Sequence, residues 1–169
     1  MEDRAFWHNA AVASRAFFVK RTNAHTGFAP DYADFDGSPH PTTFNKDSAA
    51  FASDAWRTAS NWAVDELWWG RNPNAARLSD HLTGFFQSEG MQGHAAHYTL
   101  DGKRLSNYQT VGLIATNEVA STVATSPTVT HAFVTALWSQ PIPSGEQRYY
   151  SGLLYMLSML HLGGQFRVW

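Results

Sequence analysis

FASDAWRTASNWAVDELWW, residues Phe51 to Trp69, is the stretch on which the reading of the fold turns. It holds no Gly or Pro and has alanines throughout, which predicts one long helix. At about 100° per residue, Asp54, Arg57, Asn61, Asp65 and Trp68 fall in one narrow stripe. Phe51, Ala52, Ala55, Trp56, Ala59, Trp62, Ala63, Val64 and Leu67 cover most of the remaining circumference. The helix is therefore expected to be buried on nearly every side, with one polar seam facing water, a ligand or other polar groups. A solvated amphipathic face fits the same period, but such faces usually carry Lys and Glu. Lys is absent from this segment, and short Asp, Asn and Arg groups among tryptophans suit an internal cleft. An Arg one turn from an Asp favours the ionised carboxylate, and an oriented, ionised Asp is a candidate general base. Asp54 with Arg57 is that pair.

The whole sequence, 169 residues and 18.8 kDa, is long enough for one domain with a real core. Twelve basic and 14 acidic residues give a formal net charge of -2 with no basic run, which argues against nucleic acid or an anionic membrane surface as partner. Seven Trp and 14% aromatic residues exceed what a core alone needs, and aromatic faces are platforms for sugars. No cysteine is present, so disulfides and thiol catalysis are excluded while the compartment stays open. The opening MEDRAFWHNA shows no secretory pattern, and no stretch reaches transmembrane length.

Working outward, Asp3 to Lys20 places Phe6, Ala10, Ala13 and Phe17 on one face and predicts a helix with a wide apolar side. Arg21 to Asp47 is rich in Pro, Gly, Asn and Asp and reads as a long loop. Its Phe28, Tyr32, Phe35 and Phe44 argue for order, because disordered segments are poor in aromatics. Ala75 to Glu89 is a second amphipathic helix, expected to be the more exposed one, ended by Gly90. Met91 to Asn107 is a loop. Tyr108 to Ala124 reads as a helix, with Thr and Val leaving a strand open; a short helix follows the SPT turn at Ser126 and stops at the PIPSG run. Glu146 to Leu162 is a final helix, after which FRVW could form a short strand. About six helices joined by long ordered loops make the chain all-α.

Other constellations are weaker. His94-x-x-His97 has a spacing open to metal ligation but follows glycines in a loop and lacks the Glu of a helical HExxH site, so no metal site is assigned. Asp31, Asp34 and Asp36 before Gly37 resemble a calcium loop with the wrong spacing, and an Asp-rich turn is the preferred reading. No phosphate loop, dinucleotide fingerprint or nucleophile elbow appears, and no cofactor is implied. Tyr149 and Tyr150 are adjacent, so one of them must leave the core for a cleft or solvent.

Together, PDYADFDG at Pro30 to Gly37, FASDAWR at Phe51 to Arg57, LDGKRLS, VGLIATN and the terminal RYYSGLLYMLSMLHLGGQFRVW resemble glycoside hydrolase family 8, with the xylan and xylo-oligosaccharide members nearest. The resemblance implies an (α/α)6 barrel and inverting hydrolysis of β-1,4 bonds. It implies Asp54 as general base, Arg57 beside it, Tyr149 and Tyr150 lining sugar subsites, and Tyr32 and Phe35 near substrate, although Asp34 stands where Asn is expected. The family domain is about twice as long, and the resemblance covers its C-terminal half only. The general-acid Glu and a further supporting Asp are thus expected in an N-terminal half outside these residues, and Met1 is expected to be an internal methionine or the start of a truncated or split frame. A partial barrel would leave apolar flanks uncovered. The alternatives are a non-catalytic helical carbohydrate-binding remnant using Trp68, Tyr149 and Tyr150, or a fragment of a cellulase or chitosanase of the same family.

Overall fold

The computed structural model describes residues 3–167. Six α-helices run in order: α1 (Arg4–Arg21), α2 (Trp56–Trp69), α3 (Ala75–Glu89), α4 (Val111–Ser121), α5 (Pro127–Trp138) and α6 (Tyr150–Leu162), with a 3-10 turn at Gly145–Arg148 before the last. Among the described residues the only extended pairings are isolated bridges, so the all-α expectation holds. The segment Tyr108 to Ala124, where a strand was open, is helix α4.

α4 is the hub. Gly112 to Ser121 are all buried, and α2, α3, α5 and α6 pack around it. Its start is fixed locally: Thr110 is extended and its hydroxyl accepts the Gly112 N–H at 3.2 Å. Gly112 permits a close approach of α2 and α6 to the start of this helix. A Cβ there would stand 3.1 Å from Leu154 Cδ1, 3.3 Å from Ser151 Oγ and 3.4 Å from Trp56 Cζ3. The Ser158 hydroxyl donates to the Ala115 carbonyl at 2.9 Å and ties α6 to the same helix.

The two long loops belong to the core rather than lying over it. Phe28 stacks on Phe51 with centroids 4.1 Å apart, and Phe85, Phe86 and Tyr98 close the cluster, joining both loops to α3. Gly27 lies at φ 72°, and a Cβ there would fall 2.5 Å from the Leu82 backbone nitrogen, so this turn admits no side chain. Of the first loop's aromatics, Phe28 ties it into the core, while Phe35 and Phe44 are exposed.

Four expectations need correction. The central helix begins at Trp56, not Phe51, because Phe51 exchanges backbone hydrogen bonds with Tyr98 at 2.9 and 3.0 Å and leaves Asp54 in a turn. It is also less enclosed than the pattern implied, since Leu67 and Trp69 are exposed. α3, read as the more exposed helix, buries Ala75, Leu78, Ser79, Leu82, Thr83 and Phe86, whereas α1 buries none. Phe166 and Arg167 are not strand; Val168 and Trp169 lie outside the described residues.

α1 is held to α2 largely by a two-pronged ion pair, Arg15 Nε and Nη2 to the two Asp65 oxygens at 2.7 and 2.6 Å. Its Phe6 and Trp7 are exposed. So is a row on α6 formed by Leu153, Met156, Leu157 and Leu160.

Glu118, on α4, is 0% exposed, and among the described residues neither carboxyl oxygen has a hydrogen-bond partner. Burial pushes its pKa up to about 8. The folded chain thus holds Glu118 protonated at neutral pH while the unfolded chain ionises it near 4.5. Stability is lost as pH rises between those two values, at a slope of at most about 1.4 kcal/mol per pH unit from this group. Glu118→Gln is expected to unfold at the same urea midpoint as the parent near pH 4.5 and at a higher one at pH 8. Equal midpoints at both pH values would count against the assignment.

Candidate functional site

A cleft of ≈ 370 Å³ opens between the C-terminal end of α1, the first loop and the start of α2. Asp54 lies in the turn just before α2 and Arg57 in its first turn, and the two form an ion pair on the cleft wall. Their side chains are 46% and 47% exposed, so the pair adds little stability. What it fixes is orientation: the guanidinium is held by Asp54 on one side and lies 5.8 Å from the centre of the Tyr150 ring on the other.

Tyr150 stands at the start of α6, packs 6.1 Å from the Trp56 ring, and donates its hydroxyl to the Ser53 carbonyl at 2.6 Å. Burial raises its phenol pKa, with the Arg57 charge opposing, so it is a neutral donor at ordinary pH. Asp31 reaches into the same cleft from the loop. One oxygen accepts the Ala55 N–H at 2.7 Å and the other accepts from Asn45 Nδ2 at 3.3 Å. Burial raises the Asp31 pKa against these hydrogen bonds, and the Asp54 charge adds to the rise.

Arg21 closes the floor. It donates to Thr58 Oγ1 at 2.7 Å and to the Pro30 carbonyl at 3.1 Å, and its guanidinium lies between the Phe17 and Phe18 rings. Burial lowers its pKa. Asn61 and Tyr32 complete the wall, with Tyr32 set edge-on to Phe44. An accessible carboxylate with an Arg partner, beside neutral hydroxyl and amide groups and an aromatic face, can deprotonate a water placed next to a polyhydroxylated ligand.

Of the residues singled out in the sequence, Asp54, Arg57 and Tyr32 line this cleft and Tyr150 lies under Arg57. Phe35 is 100% exposed at a turn tip and Tyr149 is 75% exposed; neither lines the cleft. The expectation that one of the two tyrosines leaves the core holds, and that one is Tyr149. The polar seam divides. Asn61 stays with the cleft, while Asp65 binds Arg15 and Trp68 Nε1 donates to the Phe166 carbonyl at 3.3 Å.

Asp31, Arg21 and Thr58 were not singled out as site residues. Asp31 sits in the quoted PDYADFDG loop, and its reach into the cleft depends on a long-range pairing of that loop with Ser48 to Ala50 that no local pattern shows. The other two loop aspartates serve their own turn: Asp36 accepts from Ser38, and Asp34 pairs with His40 at 2.9 Å.

The two histidines separate. His94 is buried edge-on to Phe86, and burial lowers its pKa. His97 meets Asp47 at 3.0 Å and points its other nitrogen toward Ser53 Oγ and the Tyr108 hydroxyl at 3.5 and 3.4 Å. Among the described residues no group of three or more His, Asp or Glu side chains is placed to hold a metal ion. A second cleft of ≈ 310 Å³ opens past Tyr108, lined by uncharged polar groups including Gln109, Ser144, Gln147 and Ser151.

A scan against protein-family models finds no match. Curated proteins do match. The chain is 37% identical over 170 residues to the reducing-end xylose-releasing exo-oligoxylanase Rex8A of Paenibacillus barcinonensis, covering 99% of this chain and 44% of that protein. It is 35% identical to the reducing end xylose-releasing exo-oligoxylanase of Halalkalibacterium halodurans, of which it covers 43%. Among solved structures, the GH8 xylobiose complex from Teredinibacter turnerae superposes with a TM-score of 0.92 at 42% identity, covering 98% of this chain and 42% of that one. Rex8A complexed with xylose gives 0.90 at 37% identity. The chain therefore spans somewhat less than half the length of the relatives it matches, and its six helices match part of the (α/α)6 structure of glycoside hydrolase family 8. By sequence and by fold, this chain is a homologue of the xylan-directed glycoside hydrolases of family 8.

Proposed function

We propose that residues 1–169 are the C-terminal half of a family 8 catalytic domain and supply the water-activating side of an inverting glycoside hydrolase acting on xylan or xylo-oligosaccharides. The observation that carries this reading is the Asp54–Arg57 pair, exposed in a cleft and backed by Tyr150. Inverting hydrolysis needs a carboxylate to take a proton from water and, about 6.5 to 9.5 Å away, a carboxylic acid to protonate the leaving oxygen. Asp54 fills the first role. The acid is assigned to the N-terminal half of the domain, the partner of this chain, consistent with the length of the relatives. Tyr32 and Tyr150 bind sugar from this side, and Arg57 orients both base and sugar; Phe35 and Tyr149 reach substrate only if it extends beyond the described cleft. Xylose-based glycans are favoured over cello-oligosaccharides because the 37% and 42% matches are to xylan-directed proteins, while Endoglucanase A of Acetivibrio thermocellus matches at 28%.

Three outcomes test this. In a full-length context, Asp54→Ala is expected to lower kcat on xylohexaose by about 10² to 10⁴ with helix content unchanged. Retention of more than a tenth of the activity would rule out the base role and favour a non-catalytic carbohydrate-binding part. The same full-length protein is expected to turn over xylohexaose faster than cellohexaose or a chitosan hexamer, and the reverse order with either hexose would overturn the xylan assignment. Residues 1–169 alone, folded by circular dichroism, are expected to release no reducing ends from xylohexaose, since loss of the acid alone costs about 10² to 10⁴ in rate.

A further inference from the structure

We propose that Asp31 is a positioning residue for Asp54, holding the backbone on the far side of that residue so that its carboxylate enters the cleft in one direction. The inference rests on Asp54 being the base.

Asp54 sits in a turn, where backbone direction is not fixed by a helix ladder. Its two neighbours are held instead. On one side the Tyr150 hydroxyl donates to the Ser53 carbonyl at 2.6 Å. On the other, the Ala55 N–H donates to Asp31 Oδ1 at 2.7 Å. That N–H belongs to the unsatisfied donors at the start of α2, where Ala55 has no capping side chain to offer and no nearby residue of the helix supplies one. A carboxylate there makes a charge-assisted bond and meets the positive end of the helix dipole.

Asp31 holds the approach to this turn as well. Its own N–H donates to the Ala50 carbonyl at 2.9 Å, and the Tyr32 N–H donates to Ser48 at 2.8 Å. Main chain and side chain of one residue thus bracket 50–55, the stretch that carries Asp54. The second Asp31 oxygen is held by Asn45, so the side chain is fixed at both oxygens.

Asn or Ser caps a helix as well as Asp, so what Ala55 requires is a fixed acceptor oxygen; among the described residues Asp31 is partly buried and forms no ion pair, while Arg21, on which its charge acts, donates to Thr58 and Pro30. The chain accepts this desolvation at the residue that sets the geometry of Asp54.

The test uses Asp31→Ala and Asp31→Asn, with Asp54→Ala as reference, in the full-length context for kinetics. Hydrogen exchange is read on the 169-residue chain. Asp31→Ala is expected to lower kcat on xylohexaose about 10- to 100-fold with KM within about threefold, and Asp31→Asn, which keeps an acceptor oxygen in place, to recover most of that loss. Exchange at Ala55 is expected to quicken about tenfold in Asp31→Ala while α4 keeps its protection. Unchanged kcat, unchanged Ala55 exchange, an Asn variant as poor as the Ala variant, or loss of α4 protection would each overturn the proposal. If Asp54→Ala is itself active, the base reading falls and this one with it; if Asp54→Ala is inactive and the Asp31 variants are normal, only this one falls.

Discussion

Four of the other five helices are arranged around one that is buried from its second residue to its last. α4 is buried on every side, so each neighbour is placed by how closely it can approach that one cylinder. Gly112 permits a close approach at its start, and the groups that meet it are Leu154 and Ser151, the latter the second residue of α6, and Trp56, the first of α2. The starts of three helices therefore meet at one point, further linked by the Thr110 and Ser151 hydroxyls at 3.1 Å. The turn carrying Asp54 enters α2 at this point and Tyr150 begins α6 there. The converging N-termini supply partial positive charge next to two carboxylates, which offsets part of the cost of holding Asp31 and Asp54 close together.

The polar stripe of α2 shows how one sequence pattern serves two ends. Its first two turns open on the cleft with Arg57 and Asn61. Its later part fastens α1 through Asp65 and the chain end through Trp68, so polar groups there hold structure rather than ligand. α1 needs that bond because it brings no buried residue of its own. Its far end then contributes Phe18 and Arg21 to the cleft, and the Arg15–Asp65 pair fixes their placement at a distance.

Helices were legible in the sequence because apolar periodicity survives wherever one face is buried; α3 and α5 appear where their patterns end at Gly90 and begin at Ser126. The start of α2 was not legible. Helix propensity favours Phe51 to Ala55, but the Phe51–Tyr98 bridge and the Asp31 carboxylate claim those backbone groups from 47 and 24 residues away. For the same reason Asp54 and Arg57 could be found from a three-residue spacing, whereas Asp31 and Arg21 could not. Glu118 follows Thr116 and Asn117 in a helix that is otherwise mostly apolar, and its burial shows only once its neighbours are in place.

The Phe28–Phe51 stack has a consequence for how such a scaffold can diversify. Because that stack makes the roots of both long loops part of the core, insertions or deletions near Gly27, Phe51 or Tyr98 disturb packing directly. The tips are different: Phe35, Ile142 and Tyr149 are largely exposed. Substitution there leaves the interior alone, so a lineage can rework these tips while the turn that holds Asp54 stays as it is.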